Sequence, residues 1–257
     1  MSQDFTGQVA IITGGSDGIG RATAALLARR GATVVVCGRR QEKLDETKAL
    51  IEGVGGTIET FQLDVSDSEA YTALVEDVAA RHGRLDMLVN NAMSVHYAPI
   101  QKLTLEQWRK DFAVNADAVF IGTKAAMKVM MAAGKGSIVN ISSTTAIRAA
   151  PYMSSYSASK AALIQFTAVA AMEGAASGVR VNAIVPGQVQ TAATADFGAK
   201  APEIAAKTAS AIPMGRGGAP EELAEAIVFM LSDAASYITG VALPVDGGKS
   251  AQLYLPP

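Results

Sequence analysis

The apolar positions of this chain fall into two alternating rhythms. Short runs rich in β-branched residues occur at 9–13 (VAIIT), 33–37 (TVVVC), 57–63 (TIETFQL), 87–90 (MLVN), 137–141 (SIVNI), 179–185 (VRVNAIV) and 240–245 (GVALPV), each the length of a strand. Between them, stretches such as GRATAALLARR and EAYTALVEDVAARHG carry apolar residues at helical spacing and end near a glycine that can take the left-handed helix stop. Strands this apolar are covered on both faces. The alternation therefore predicts an α/β fold, a single-domain doubly wound parallel sheet of about seven strands with helices on both faces. No repeat or linker interrupts the pattern, so 1–257 reads as one domain. The exception is 188–218, rich in Ala, Thr, Gly and Pro and without a strand-like run, which reads as a mobile lid over the carboxyl ends of the strands.

Two segments, 116–134 and 159–178, are small and apolar around most of their circumference. Such helices bury several sides, either against the sheet and a second subunit or wholly inside one subunit. A homo-oligomer is the expectation. Charge narrows the remaining partners: 22 Lys and Arg against 24 Asp and Glu leave a formal charge of -2, too weak a field to gather nucleic acid or anionic lipid. A small molecule is left. Cys37 is alone, the start of the chain has no basic leader-like region, and no segment approaches the roughly 20 apolar residues that span a bilayer. These features predict a cytoplasmic protein with no membrane partner. With two histidines, one cysteine and no close acidic cluster, no metal site is expected.

The first strand runs into Thr13, Gly14, Gly15, Ser16, Asp17, Gly18, Ile19 and Gly20 and then into a helix. Glycines there allow a tight turn and close approach of backbone N–H groups to a pyrophosphate, and the helix amino end adds partial positive charge. The spacing Gly14, Gly18, Gly20 is not the common G-x-G-x-x-G fingerprint. After the second strand, Gly38 is followed by Arg39 and Arg40, where an NAD site would place a carboxylate for the ribose hydroxyls. Arginines suit the 2′-phosphate of NADP(H) instead. Asp17 acts against that preference. Asp64 and Val65 after the third strand and Asn90, Asn91 and Ala92 after the fourth emerge at the same edge. Asp64 either bonds the adenine or serves as a cap or turn residue, and Asn90 either holds local backbone or does the same.

Tyr156 and Lys160 stand four apart on a helix and share a face, and Ser143 leaves the fifth strand thirteen residues before the tyrosine. A phenol with an unperturbed pKa of about 10 is a poor acid or base at neutral pH. A nearby ammonium, joined by the positive charge of a nicotinamide, favours the phenolate.

TGGSDGIG (13–20), NNA (90–92), Asn115 in AVNADAVF, ISS ending at Ser143, YSASK from Tyr156 to Lys160, PG at Pro186 and Gly187 with Thr191 beyond, and VDGG (245–248) form an ordered set. On these motifs the chain resembles the roughly 250-residue branch of the short-chain dehydrogenase/reductase family over nearly its full length. The resemblance implies an NADP(H)-dependent oxidoreductase acting on CH–OH and C=O groups, and a homotetramer. Tyr156 would be the general acid or base, Ser143 would stabilise the reacting oxygen, Lys160 would hold the nicotinamide ribose and lower the tyrosine pKa, and Asn115 would hold a relay water. Pro186, Gly187, Val189 and Thr191 resemble the segment that contacts the nicotinamide carboxamide. Met93 and Ala146 depart from the family, which usually has glycine at both places.

Met93, Val95, His96, Thr145, Tyr152, Met153, Gln188 and the 192–212 stretch are the pocket candidates and suggest a mainly apolar substrate of moderate size. His96 otherwise reads as a solvated loop residue, and His82 as a surface one. Asp246 reads as a turn, and the tail LYLPP (253–257) either shapes the pocket or packs on a neighbouring subunit. Two other functions fit the same fold: an NADP-binding regulatory protein without turnover, marked by a broken tetrad, and a reductase of C=C or C=N bonds, marked by a different donor spacing.

Overall fold

The structure, a computed structural model, describes residues 4–252, apart from the side chains at 192, 193, 197 and 198. The LYLPP tail lies outside the described residues. Seven strands form one parallel sheet: β1 (Val9–Thr13), β2 (Thr33–Gly38), β3 (Thr57–Gln62), β4 (Met87–Asn90), β5 (Gly136–Ile141), β6 (Val179–Pro186) and β7 (Ala242–Val245), in the spatial order β3-β2-β1-β4-β5-β6-β7. All seven expected strands form, with ends shifted by one or two residues. Alternation along each strand divides the core. Ala10 and Ile12, Val34 and Val36, and Val139 and Ile141 face α1 (Gly18–Arg29), α2 (Gln41–Glu52) and α9 (Pro220–Leu231). Val9 and Ile11, Val35 and Cys37, Leu88 and Ile138 face α3 (Ser68–His82), α5 (Ala118–Ala133) and α6 (Ser154–Ala175). Side chains of period two are thus buried on both faces, as a doubly wound sheet requires.

The segment after β6 carries two helices, α7 (Ala192–Lys200) and α8 (Pro202–Ser210), and no strand of the sheet. An isolated parallel bridge between Val189 and Gly218 closes its base, with Gln190 N donating to Gly218 O at 2.8 Å and Gly218 N to Gln188 O at 2.9 Å. The remaining helix, α4 (Leu105–Phe112), starts at a capping box formed by Thr104 and Gln107.

Inside the core, Asn90 does not hold local backbone. Its Oδ1 accepts from the Tyr71 hydroxyl at 2.8 Å, and its Nδ2 donates to Thr123 Oγ1 at 3.2 Å and Asn140 Oδ1 at 2.9 Å. Burial explains the difference: Asn90 is 3% exposed, and a buried amide finds partners in the side chains packed around it. This network ties β4 and β5 to α3 and α5 just below the carboxyl edge. Gly122 on α5 makes room for it, because a Cβ there would stand 2.5 Å from the Tyr71 ring. Gly122→Ala is expected to lower stability by about 1–3 kcal/mol through overpacking, checked by urea unfolding; an unchanged midpoint would show that Tyr71 swings aside freely.

Candidate functional site

Strand order reverses between β1 and β4, and ligands of open α/β sheets bind at such a point. A cleft of about 330 Å³ opens there, walled by Gly14 and Ser16 to Ile19 after β1, Gly38 to Arg40 after β2, Leu63 to Val65 after β3 and Asn91 to Met93 after β4, with Val114 and Thr191 closing it. A larger hollow of about 730 Å³ lies at the opposite, amino edge, where Arg30 pairs with Asp4 and Lys135 with Asp233. None of the expected chemical groups reaches that hollow.

The glycine loop is bare by necessity. Gly14 has φ +64°, and a Cβ on it would stand 2.9 Å from Ala92 Cα; a Cβ on Gly20 would stand 2.5 Å from Gly14 O. Asn91 Nδ2 locks the loop by donating to Thr13 O and Gly14 O, both at 3.0 Å, and Thr13 Oγ1 accepts from Ala92 N at 3.1 Å. With the amino end of α1 on the wall, this cradle fits the pyrophosphate of a dinucleotide. Asp17 spends its charge locally: it caps α1 by accepting from Gly18 N at 2.8 Å and pairs with Arg40 at 3.6 Å. Arg39 lines the cleft beside Asp64. Asp64 forms a turn, accepting from Ser66 N at 3.0 Å and Ser66 Oγ at 2.7 Å. Burial raises its pKa, but the Ser66 bonds and the Arg39 charge outweigh that and hold it below the ordinary value. Thr191 caps the start of α7, and its methyl group lies 3.1 Å from where a Gly18 Cβ would be. Gly187 follows Pro186, the last residue of β6, and its N–H bonds Val245 O at 3.1 Å.

The second half of the site rises from β5 and α6. Ser143 caps a short turn, accepting from Thr145 N and Thr145 Oγ1, both at 3.2 Å. Tyr156, in the first turn of α6, is 8% exposed, and Lys160 one turn on is 1% exposed. Lys160 Nζ donates to Ile141 O at 2.7 Å and stands 5.9 Å from the centre of the Tyr156 ring. Burial pushes the Tyr156 pKa up, the Ser143 hydroxyl offsets this only in part, and Tyr97 and Asp111 push the same way. The same burial pulls Lys160 down to about 7. Desolvation thus weakens the Lys160 charge.

Asn115 lies in a π-helical turn, Ala113–Asp117, between α4 and α5, where Ala118 N reaches back to Ala113 O. Its side chain is committed to protein: Oδ1 accepts from Ser94 N at 2.9 Å, and Nδ2 donates to Ser94 O at 2.8 Å and Ser159 Oγ at 3.0 Å. His96 is not a solvated loop residue. Its Nδ1 lies 2.7 Å from Asp111 Oδ1, a carboxylate with no exposure. Asp111 went unnoticed in the sequence, although it stands four residues before Asn115 and so shares its face. His82 pairs with Glu59 at 2.8 Å near the surface, and Asp246 accepts from Gly248 N and Ser250 N as a turn residue.

Met93, on the cleft wall, and Tyr152 are exposed, and Tyr152 holds a left-handed φ of +67° while its O accepts from Ala98 N at 3.0 Å. Gln188 Oε1 is buried without a partner among the described residues. Among those residues no group of three or more His, Cys, Asp or Glu is arranged to hold a metal ion, and no helix is long and apolar enough to cross a membrane.

Known proteins agree with this arrangement. The family model described as Enoyl-(Acyl carrier protein) reductase matches residues 14–250. The chain is 41% identical to 3-oxoacyl-(acyl-carrier-protein) reductase FabG of Thermotoga maritima over 243 residues, 94% of this chain and 97% of that one. It is also 41% identical to cis-4-hydroxycyclohexanecarboxylate dehydrogenase of Sinomonas cyclohexanicum over 252 residues, 98% of this chain and 100% of that one. A Beutenbergia cavernae protein provisionally assigned as an NAD(P)-dependent gluconate 5-dehydrogenase, with NADP bound at low occupancy, superposes with a TM-score of 0.92 at 39% identity, covering 98% of this chain and 100% of that one. Fold, motif order and full-length similarity converge, and the chain belongs to the short-chain dehydrogenase/reductase family of oxidoreductases.

Proposed function

We propose that the protein is an NADP(H)-dependent oxidoreductase that transfers a hydride between the nicotinamide and an alicyclic ketone or secondary alcohol, with Tyr156 as general acid or base. The observation that carries this reading is the placement of Ser143, Tyr156 and Lys160 after β5, at the same carboxyl edge of the sheet as the glycine cleft. Gly14, Ser16, Gly18 and Gly20 would cradle the pyrophosphate, Arg39 the 2′-phosphate, and Lys160 with the Pro186 to Thr191 segment the nicotinamide end. The bound cofactor supplies or takes the hydride. Tyr156 Oη gives its proton to the carbonyl oxygen in reduction and takes it back in oxidation. Ser143 Oγ donates to the same oxygen and stabilises the charge growing there. Met93, Tyr152 and the lid segment give an apolar mouth, which suits the ring substrate named for the Sinomonas relative. The intact pairing of Ser143 with Tyr156 favours carbonyl chemistry over reduction of C=C bonds. Phe120, Met131, Val169 and Met172 on α5 and α6 are exposed in the single chain, which supports assembly into a homotetramer.

The test is nicotinamide absorbance with NADPH and NADH against cyclopentanone, cyclohexanone, 4-oxocyclohexanecarboxylate, sugars, steroids and an enoyl thioester. Ketone turnover is the expected result. Tight NADPH binding without turnover would favour a regulatory protein, and turnover of the enoyl thioester alone would favour C=C reduction. Arg39→Ala is expected to lower kcat/KM for NADPH roughly 10-fold or more, the value of a charge-assisted bond, and to change that for NADH little. Equal NADPH efficiency in parent and variant would show the arginine to be idle.

A further inference from the structure

The carboxylate of Asp111 is fully buried near the carboxyl end of α4, and no lysine or arginine pairs with it among the described residues. It accepts from Ser155 Oγ at 2.5 Å, Ser94 Oγ at 2.8 Å and His96 N at 3.2 Å, and lies 2.7 Å from His96 Nδ1. All of these partners lie in two segments. Ser94 and His96 belong to the loop that follows Met93, and Ser155 is the residue next to Tyr156. Burying a carboxylate is costly where an apolar side chain would pack without that cost, so stability alone does not account for an aspartate here. The bonds from Ser155, Ser94 and His96 overcome the effect of burial and keep the acid ionised below its ordinary pKa.

A second route runs parallel to the first. Asn115 grips both the N–H and the C=O of Ser94 and donates to Ser159 Oγ, which donates in turn to the Tyr156 carbonyl at 2.8 Å. The loop at the mouth of the site and the first turn of α6 are therefore joined twice, once through each of two residues four apart on one helical face.

We propose that Asp111 is a positioning residue, whose buried carboxylate clamps the 93–97 loop to the first turn of α6 and so fixes the substrate wall and the Tyr156 hydroxyl relative to each other. The inference rests on the reading of Tyr156 as the proton donor. Reacting groups misplaced by about 1 Å cost on the order of 10²-fold in rate, which sets the scale expected when the clamp is lost. Ser155 carries the part that acts on Tyr156, and His96 the part that shapes the substrate wall.

The experiment measures steady-state kinetics of Asp111→Asn, Ser155→Ala and His96→Gln with the fastest ketone of the panel above, together with NADPH affinity by fluorescence titration. Asparagine keeps the shape but replaces one acceptor oxygen with a donor. The expected result is a fall in kcat/KM for the ketone of roughly 10- to 100-fold in Asp111→Asn, with NADPH affinity within about twofold of the parent, since the phosphate cradle lies on the other half of the site. Ser155→Ala should act mainly on kcat and His96→Gln mainly on the ketone KM. Should Asp111→Asn fail to fold, that split in the other two carries the test. Parent-like kinetics in a folded Asp111→Asn, parent-like kinetics in both other variants, or a parallel loss of NADPH affinity would overturn the proposal. Tyr156→Phe separates the two readings. If it retains turnover, the proton-donor reading fails and the positioning role falls with it; if it is inactive while Asp111→Asn is parent-like, the clamp alone is wrong.

Discussion

Replacing Tyr156 by phenylalanine lowers kcat for ketone reduction roughly 10²- to 10⁴-fold, the usual contribution of a positioned general acid, while NADPH still binds. The substitution removes one oxygen from a residue that is almost fully buried and leaves the ring in place. Among the described residues no side-chain hydrogen bond of the fold is removed with that oxygen, so little folding free energy is at stake. Single-turnover kinetics with excess enzyme isolate the chemical step, and a rate within a few fold of the parent would remove Tyr156 from the mechanism.

Lys160→Met should cost kcat/KM roughly 10²-fold or more, because the variant loses the group proposed to hold and orient the nicotinamide ribose, and it should also change how stability depends on pH. Burial lowers the Lys160 pKa in the fold from its ordinary 10.5 to about 7. Between those values the unfolded chain binds more protons than the folded one, so this lysine makes stability rise with pH across that window. Below pH 7 it is protonated in both states and the penalty is present in full. The melting temperature of the cofactor-free parent should therefore gain on that of Lys160→Met as pH is raised from about 7 to about 10. Parallel curves from scanning calorimetry would mean that the lysine keeps its charge in the fold. The same desolvation makes Lys160 a weak partner for a phenolate before the cofactor is bound, and makes Tyr156 dependent on Ser143 and the cofactor for its acidity.

The layout of the sheet was legible because it follows from local pattern. Seven β-branched runs separated by amphipathic stretches leave few topologies once crossovers are right-handed and both faces must be covered. Glycine positions were legible for a similar reason, since Gly14 and Gly20 mark places where backbone passes close to backbone. Two readings did not survive the fold. Asn90 proved to be a core residue, and His96 proved to be held by a buried acid. Each depends on what stands next to a side chain in space, and the nearest partners lie as far as 50 residues away along the chain.

By itself the sequence determined the fold class, the family and the edge at which chemistry belongs. Fold class and edge follow from periodicity and from the backbone demands of glycine, which act over a few residues, and the family from the ordered motifs. Only the tertiary structure decided which polar groups are desolvated and which are joined. Ionisation and hydrogen bonding depend on distance and dielectric, and neither is written in residue order. Asp111 shows the limit most plainly: in the sequence it is one more acid on a helix, and in the fold it is a buried carboxylate linking the loop beyond β4 to the residue next to Tyr156.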